Sequence, residues 1–541
     1  MALRADNLHQ LAQGRYDVLI VGGGVNGAVS AAALAARGVR VALIDRGDFA
    51  GFTSAQSSNL IWGGIKYLES YDFRLVRKLC LSRNRLLQSY PASIREIRFL
   101  AAIPRGFRYP PWFLWLGAWL YWLLGNGFTA PPRFMPRGRL EQEEPIIDPG
   151  HCRGGFEYSD AYLPDSDARF VFGFVRTALD HGAVAANYLE SLGGRRESDH
   201  WVIRTRDVIT SREFDIAAKA LINAAGPFVD EHNRLTGQQT EHRHVYSKGV
   251  HLIVGRLTPH SRVLAFFADD GRPFFAIPMG ERTCIGTTDT PTASPYTVVT
   301  DEDREFVLDN INQRLRLSRP LTRQDIIAER CGVRPLAIRR DAGEAGDWLH
   351  LSRRHVIEVN PHDAHLSIFG GKLTDCLNVG DEVCAQIQRL GVARPRPEQI
   401  WYGEPPAAVR ERFLRQARKA DLDRLTEPGA AEPLSSRLWR RYGAAAFDLL
   451  EAIRHDSGEA EVLIGSCMRC EMRLIQKREM IVKLEDFLRR RTAIAQTARP
   501  EEISNAPGLM ATCRILFGDE AQAKWLEYCR ENGLATSARQ D

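Results

Sequence analysis

Residues Tyr16 to Val21 read YDVLIV, an almost unbroken apolar run of the kind a central parallel strand shows when both faces are covered. The run ends in Gly22, Gly24 and Gly27, and an alanine-rich stretch of high helix propensity continues to a glycine stop at Gly38. A second apolar run, VRVALID, ends at Asp45. The pattern predicts strand, tight turn, helix and strand in that order. Beyond about residue 395 the chain becomes rich in Arg, Lys, Glu and Leu, with breaks at Pro428, Pro433 and Pro500, which predicts a helical C-terminal region. Between these ends, residues 110 to 132 hold no charged residue, and Trp112, Phe113, Trp115, Trp119, Tyr121, Trp122 and Phe128 crowd into them. The strongest run, Trp112 to Leu124, is shorter than the about 20 residues a spanning helix needs. Trp and Tyr favour the headgroup level of a bilayer, so the segment predicts an interfacial insertion and peripheral membrane contact. A buried aromatic helix is the competing expectation.

A length of 541 residues implies two large domains and a smaller tail. With 44% hydrophobic and 26% charged residues the composition is that of a folded protein. The net charge of +5, from 72 basic and 67 acidic residues, leaves no general basic excess, and no nucleic-acid partner is expected. The ten cysteines are scattered and nothing near residue 1 resembles a cleaved leader, so a cytoplasmic, reducing location is expected. Cys467 and Cys470 make a lone C-x-x-C, whereas a structural metal site needs four ligands, and no metal is expected.

The glycine spacing G-x-G-x-x-G has a physical reading. The first glycine makes the turn, the second lets a pyrophosphate approach the backbone, and the third lets helix and strand pack closely. The helix N-terminus then faces the phosphates. Asp45, about 20 residues on, stands where a carboxylate accepts hydrogen bonds from ribose hydroxyls. These features do not separate NAD from FAD. The loop that follows offers hydroxyls at Thr53, Ser54, Ser57 and Ser58 and close backbone approach at Gly63 and Gly64, as a loop holding the second half of a cofactor would.

Taken whole, that loop, TSAQSSNLIWGGIKYLESYDFRLV, resembles the flavin loop of the FAD-dependent glycerol-3-phosphate dehydrogenases, membrane-associated enzymes that feed electrons to quinone. NAAGPFVD (223 to 230), SKGVHLIV (247 to 254), FFAIPMGERTCIGTTDT, CGVRPLA and FGGKLTD follow in the family's order. The resemblance covers roughly residues 15 to 380. It implies an α/β fold in which an FAD-binding Rossmann-like domain (about 15–75, 150–230 and 350–390) interleaves with a mixed-sheet substrate domain (about 76–149 and 231–349), together forming a 1–395 core. A helical cap, 396–541, completes the chain. It further implies FAD as cofactor, oxidation of glycerol 3-phosphate or a related polyol phosphate, quinone as acceptor with molecular oxygen left open, and a location at the inner face of the membrane. A homodimer is left open.

Carried onto this chain, the resemblance places His251 as the base that takes the hydroxyl proton, Arg334 and Arg353 on the substrate anion, and Lys372 beside flavin and substrate. Arg354 exchanges roles with Arg353 if the register slips by one. Lys66 and Tyr67 join the substrate contacts, and Gly226, Gly370, Gly371, Leu373 and Thr374 the flavin contacts. Four positions depart from the family: Trp62 for a histidine, Lys66 for an arginine, Val250 for a serine and Asp375 for a threonine. They leave open another hydroxy acid, an amine, or a flavoprotein that has lost its chemistry.

Overall fold

The computed structural model describes residues 2–268, 271–341 and 354–534. Two large sheets carry the core. In the first, the strand Arg15–Val21 lies at the centre, parallel to Val41–Ile44 on one side and to Glu213–Asn223 on the other, with Val18 opposite both Val41 and Ala220. Val184–Ala186 extends this sheet beyond Val41–Ile44, and His365–Phe369 extends it beyond Glu213–Asn223, both in parallel. Antiparallel strands Leu189–Glu197, His200–Asp207 and Val356–Asn360 complete eight. The central strands are buried on both faces, as their unbroken apolar sequences require. The helix Val25–Ala36 covers one face, with Ala31, Ala32, Ala33 and Ala36 fully enclosed.

The second sheet has ten strands and is largely antiparallel. Its longest pairing runs His242–Gly255 against Ala328–Arg339, from His242 opposite Arg339 to Ile253 opposite Ala328. Two of its strands, Leu60–Ile61 and Cys152–Tyr162, fall inside segments the sequence assigned to the nucleotide-binding domain. The boundary near residue 150 therefore moves to the end of Cys152–Tyr162. That strand pairs with Arg95–Pro104 and stacks Tyr158 on Phe99, and this cross-strand packing, invisible locally, decides its sheet.

Among the described residues from Ala407 onward the chain is helical apart from a short ribbon of Val462–Ile464 with Cys467–Met468. It is held to the core by buried charge. Arg491 grips Asp48 with two hydrogen bonds of 2.8 Å, and Arg490 Nε reaches the same carboxylate at 2.7 Å. The pair of guanidiniums overcomes the burial penalty and holds Asp48 below its usual carboxylate range.

The aromatic segment forms the helix Pro111–Leu124. Ala118 and Tyr121 face the second sheet, while Trp112, Phe113, Leu116, Leu120 and Leu123 are exposed, Trp112 at 54% and Leu123 at 60%. One face of this helix packs on protein and the other is bare. Among the described residues no helix is long and apolar enough to cross a membrane.

Asp48→Ala strands two buried guanidiniums, and a loss of about 3–5 kcal/mol is expected. A thermal melt should show a clearly lowered transition and protease should cut sooner between residues 390 and 407. A melt unchanged by the substitution would remove Asp48 as the anchor of the C-terminal region.

Candidate active site

The C-terminal ends of the parallel strands open onto one cleft, the place where such sheets bind ligands. Gly22 and Gly24 follow the first strand, Asp45 and Arg46 the second, Ala225 and Gly226 the third, and Gly370 and Gly371 the fourth; all line the cleft, with about 1240 Å³ of empty space partly continuous with solvent. The glycines are there for space. A Cβ at Gly27 would lie 1.8 Å from the Gly22 carbonyl oxygen, and one at Gly22 would lie 2.4 Å from that of Ala224, in a backbone with φ of +105°. Gly24, Val25 and Asn26 bring the helix N-terminus to the cleft wall. Asn26 donates to the Gly370 carbonyl at 2.9 Å, tying that terminus to the fourth strand end.

Asp45 accepts from the N–H groups of Gly23 (2.6 Å) and Gly47 (2.8 Å). Burial nevertheless pushes its carboxyl up to about 6. A ribose diol donating to it would stabilise its charged form. The cleft therefore fits a dinucleotide: a glycine-crowded turn, a helix start and a half-buried carboxylate in one row. Thr53 and Ser54 also line it, but their hydroxyls have protein partners, Thr53 donating to the Val333 carbonyl and Ser54 accepting from Val25 N–H. Ser57 accepts from Asn59 N–H. Ser58, Gly63 and Gly64 continue the loop away from the cleft, with the Gly63 N–H on buried Asp160.

Several residues in the cleft carried no sequence signal. The Arg46 guanidinium sits 3.5 Å from the centroid of the Phe228 ring and donates to Tyr296 at 2.7 Å. His232 is 2.9 Å from the Ser191 hydroxyl, and burial pushes its imidazole down to about 4. These contacts come from segments far apart in sequence and exist only after folding.

The second sheet supplies the other half of the site. His251 is buried on the His242–Gly255 strand, and burial, then Arg334 and Arg330, hold its imidazole well below the usual value. Its Nδ1 has no hydrogen-bond partner. Arg334 crosses over Gly249, two residues back on the same strand face, where a Cβ would meet its Nη2 at 2.4 Å. It is fixed by Thr287 Oγ1 (2.8 Å), the Thr288 carbonyl (3.1 Å) and Asp289 (3.3 Å). Ile253, on that face too, packs in the cluster holding Trp62, Ile65 and Tyr67. Lys372 donates to the Tyr67 hydroxyl at 2.9 Å, with Lys66 5.9 Å from the same ring. Leu373 and Thr374 form the turn after Lys372, Thr374 donating to the Trp62 carbonyl.

The departures from the family pattern resolve differently. Val250 points away from His251 into the apolar core and is fully buried, so its side chain does not reach the site. Trp62 packs edge-on against Phe275 and donates to Tyr158, forming wall rather than ligand. Arg353 lies outside the described residues; Arg354 is described and pairs with Asp72 at 2.6 Å.

Residues 17–366 match the family model described as FAD dependent oxidoreductase. The chain is 32% identical to glycerol-3-phosphate dehydrogenase of Pseudomonas aeruginosa over 90% of its own length and 93% of that protein. It is 30% identical to D-erythritol 1-phosphate dehydrogenase of Brucella abortus, over 88% and 94%. Against several mitochondrial glycerol-3-phosphate dehydrogenases the match spans about half of the relative, 52% in the macaque protein. A solved glycerol-3-phosphate dehydrogenase from Bacillus halodurans, complexed with FAD, shares the fold at a TM-score of 0.72 and 23% identity, over 98% of this chain and 96% of that one.

Asp45 gives a pH test of the cleft. Its folded value of about 6 lies above the ordinary 3.8, so its contribution to stability is full below the lower value and is lost as pH rises through the upper one. Without dinucleotide, the melting temperature of wild type relative to Asp45→Asn should fall across that window. A flat difference would mean the carboxylate is hydrated and the cleft wet.

Proposed function

We propose that this chain, which belongs to the FAD dependent oxidoreductases of the glycerol-3-phosphate dehydrogenase family, oxidises the secondary alcohol of glycerol 3-phosphate or a related polyol phosphate. The observation that carries this reading is the buried His251, its Nδ1 without a hydrogen-bond partner, on the sheet face that the fixed Arg334 crosses. When bound, FAD supplies the two-electron oxidant that takes hydride from the alcohol carbon. Arg334 holds the phosphate with paired donors, and Lys66 and Arg353 add charge. His251 takes the hydroxyl proton as the carbon–oxygen double bond forms. Lys372 and Tyr67 orient the substrate from the opposite wall. From glycerol 3-phosphate the product is dihydroxyacetone phosphate.

The proposed acceptor of the electrons is quinone. The bare apolar face of Pro111–Leu124 supports peripheral attachment at the bilayer, where quinone resides, and at the inner face for a cytoplasmic protein.

In anaerobic solution, glycerol 3-phosphate or an erythritol phosphate should bleach the oxidised flavin band. His251→Ala should slow this about 100-fold or more. Arg334→Ala should raise the substrate concentration required by about 10- to 100-fold. FAD-loaded protein that no polyol phosphate bleaches would sink the assignment. Separately, Leu116→Glu with Leu123→Glu should abolish sedimentation with phospholipid vesicles while leaving bleaching intact; undiminished sedimentation would exclude this helix as the attachment surface.

A further inference from the structure

The turn at Gly370 and Gly371 lies where the two large sheets meet, and it is gripped from both. The strand His365–Phe369 of the first sheet ends there, and the two glycines follow with φ of +62° and +114°, a backbone that side chains rarely adopt. The Gly370 carbonyl accepts from Asn26 Nδ2 at 2.9 Å, at the start of the helix Val25–Ala36. The Gly370 N–H donates to Nε2 of His244 at 3.0 Å. His244 belongs to the second sheet, on the strand His242–Gly255 that also carries His251, and stands opposite Ala337 in its longest pairing. One glycine is thus pinned by a side chain from each half of the core.

This bond fixes the state of the ring. A backbone N–H only donates, so Nε2 must offer a lone pair and the single ring proton sits on Nδ1. The surroundings agree. The His244 side chain has no exposed surface, and its ring packs against Phe369 with centroids 5.1 Å apart. Burial pushes the imidazole down to about 4, opposed by Asp230. That carboxylate accepts from the His244 backbone N–H at 2.8 Å, lies 3.8 Å from Nδ1 and is paired with Arg340. The protonated ring would lose its one side-chain hydrogen bond, because both nitrogens would then be donors.

The next peptide shows what the grip achieves. The bond between Gly370 and Gly371 is planar and trans, so a carbonyl held toward Asn26 turns the Gly371 N–H the opposite way. That N–H has no hydrogen-bond partner among the described residues, and Gly371 lines the cleft. Backbone donors removed from water are nearly always paired, so an open one at a cofactor cleft is completed by what the cleft holds. We propose that His244 is a positioning residue for the cofactor: with Asn26 it locks the turn so that the Gly371 N–H stands ready to donate to bound FAD. His244 itself stays behind the turn and touches neither cofactor nor substrate. The inference rests on FAD occupying this cleft and not on which alcohol is oxidised.

The test is titration of the full-length apoprotein with FAD, followed by flavin fluorescence and by visible circular dichroism of the bound flavin. His244→Leu removes the acceptor and should raise the dissociation constant about tenfold or more, with an altered dichroism band. His244→Gln keeps a side-chain oxygen that can accept the same N–H and should stay within about threefold of wild type, with the native band. Wild-type affinity in the leucine variant, or equal losses in both variants, overturns the role. Should the leucine variant not fold, nitrogen NMR of FAD-loaded wild type labelled at histidine decides. The signals missing from the glutamine variant must be those of a neutral ring protonated on Nδ1; an imidazolium, or a proton on Nε2, overturns the role. Because FAD binding is read without substrate, flavin that no polyol phosphate bleaches removes the alcohol assignment and leaves this result in place.

Discussion

The approach of backbone to backbone at the first turn sets the geometry of everything around it. The Gly22 carbonyl, the start of the helix at Gly27 and the Ala224 carbonyl come so close that no side chain fits between them. This crowding lets the helix Val25–Ala36 lie directly on the sheet with nothing larger than alanine along much of its enclosed face. It also brings the ends of the first and third strands against one another. The cleft exists because the strands stop together there, and it is lined by backbone because side chains are excluded. A pyrophosphate needs that surface: donors without bulk, at a helix start.

From Asp45 the chain is pinned at successive points, each to a different part of the molecule. Asp45 holds the glycine turn, Asp48 holds Arg490 and Arg491 of the C-terminal region, the Ser57 N–H holds Asp167, and the Gly63 N–H holds Asp160. Asp160 in turn binds Arg83 and the hydroxyl of Tyr121, the buried side of the otherwise bare aromatic helix. One loop thereby touches the cleft, the helical cap, the second sheet and the apolar surface. A buried ion pair adds little net stability compared with well-packed apolar residues, yet removing one partner costs much. Such pairs suit a loop whose position must be unique.

The sequence made the first turn legible because its constraints are local: apolar periodicity gives the strand, sterics give the glycines, and alanine gives the helix. The FAD dependent oxidoreductase family was legible because ordered blocks are far more specific than one glycine motif. Sheet membership was not. Cys152–Tyr162 reads as a strand under any pattern, but only its pairing with Arg95–Pro104 puts it in the second sheet. The aromatic helix was half legible, since composition tells that a segment is apolar and only packing tells which face is covered. Arg46, Ser191 and His232 had no signal at all, because their partners lie in remote segments.

The four departures from the family pattern weigh unequally once their surroundings are known. Position 250 is on the core side of its strand, so a valine there changes packing and nothing at the site. Trp62 is wall, braced by Phe275 and Tyr158. Lys66 and Asp375 act on charge, and they act in the same sense. A lysine in place of a planar guanidinium keeps attraction for an anion but gives up two-point orientation. Asp375 draws Lys78 and His355 toward the far side of Lys372. The strand that holds His251 is fixed by its own pairing and not by the residues that depart from the family pattern.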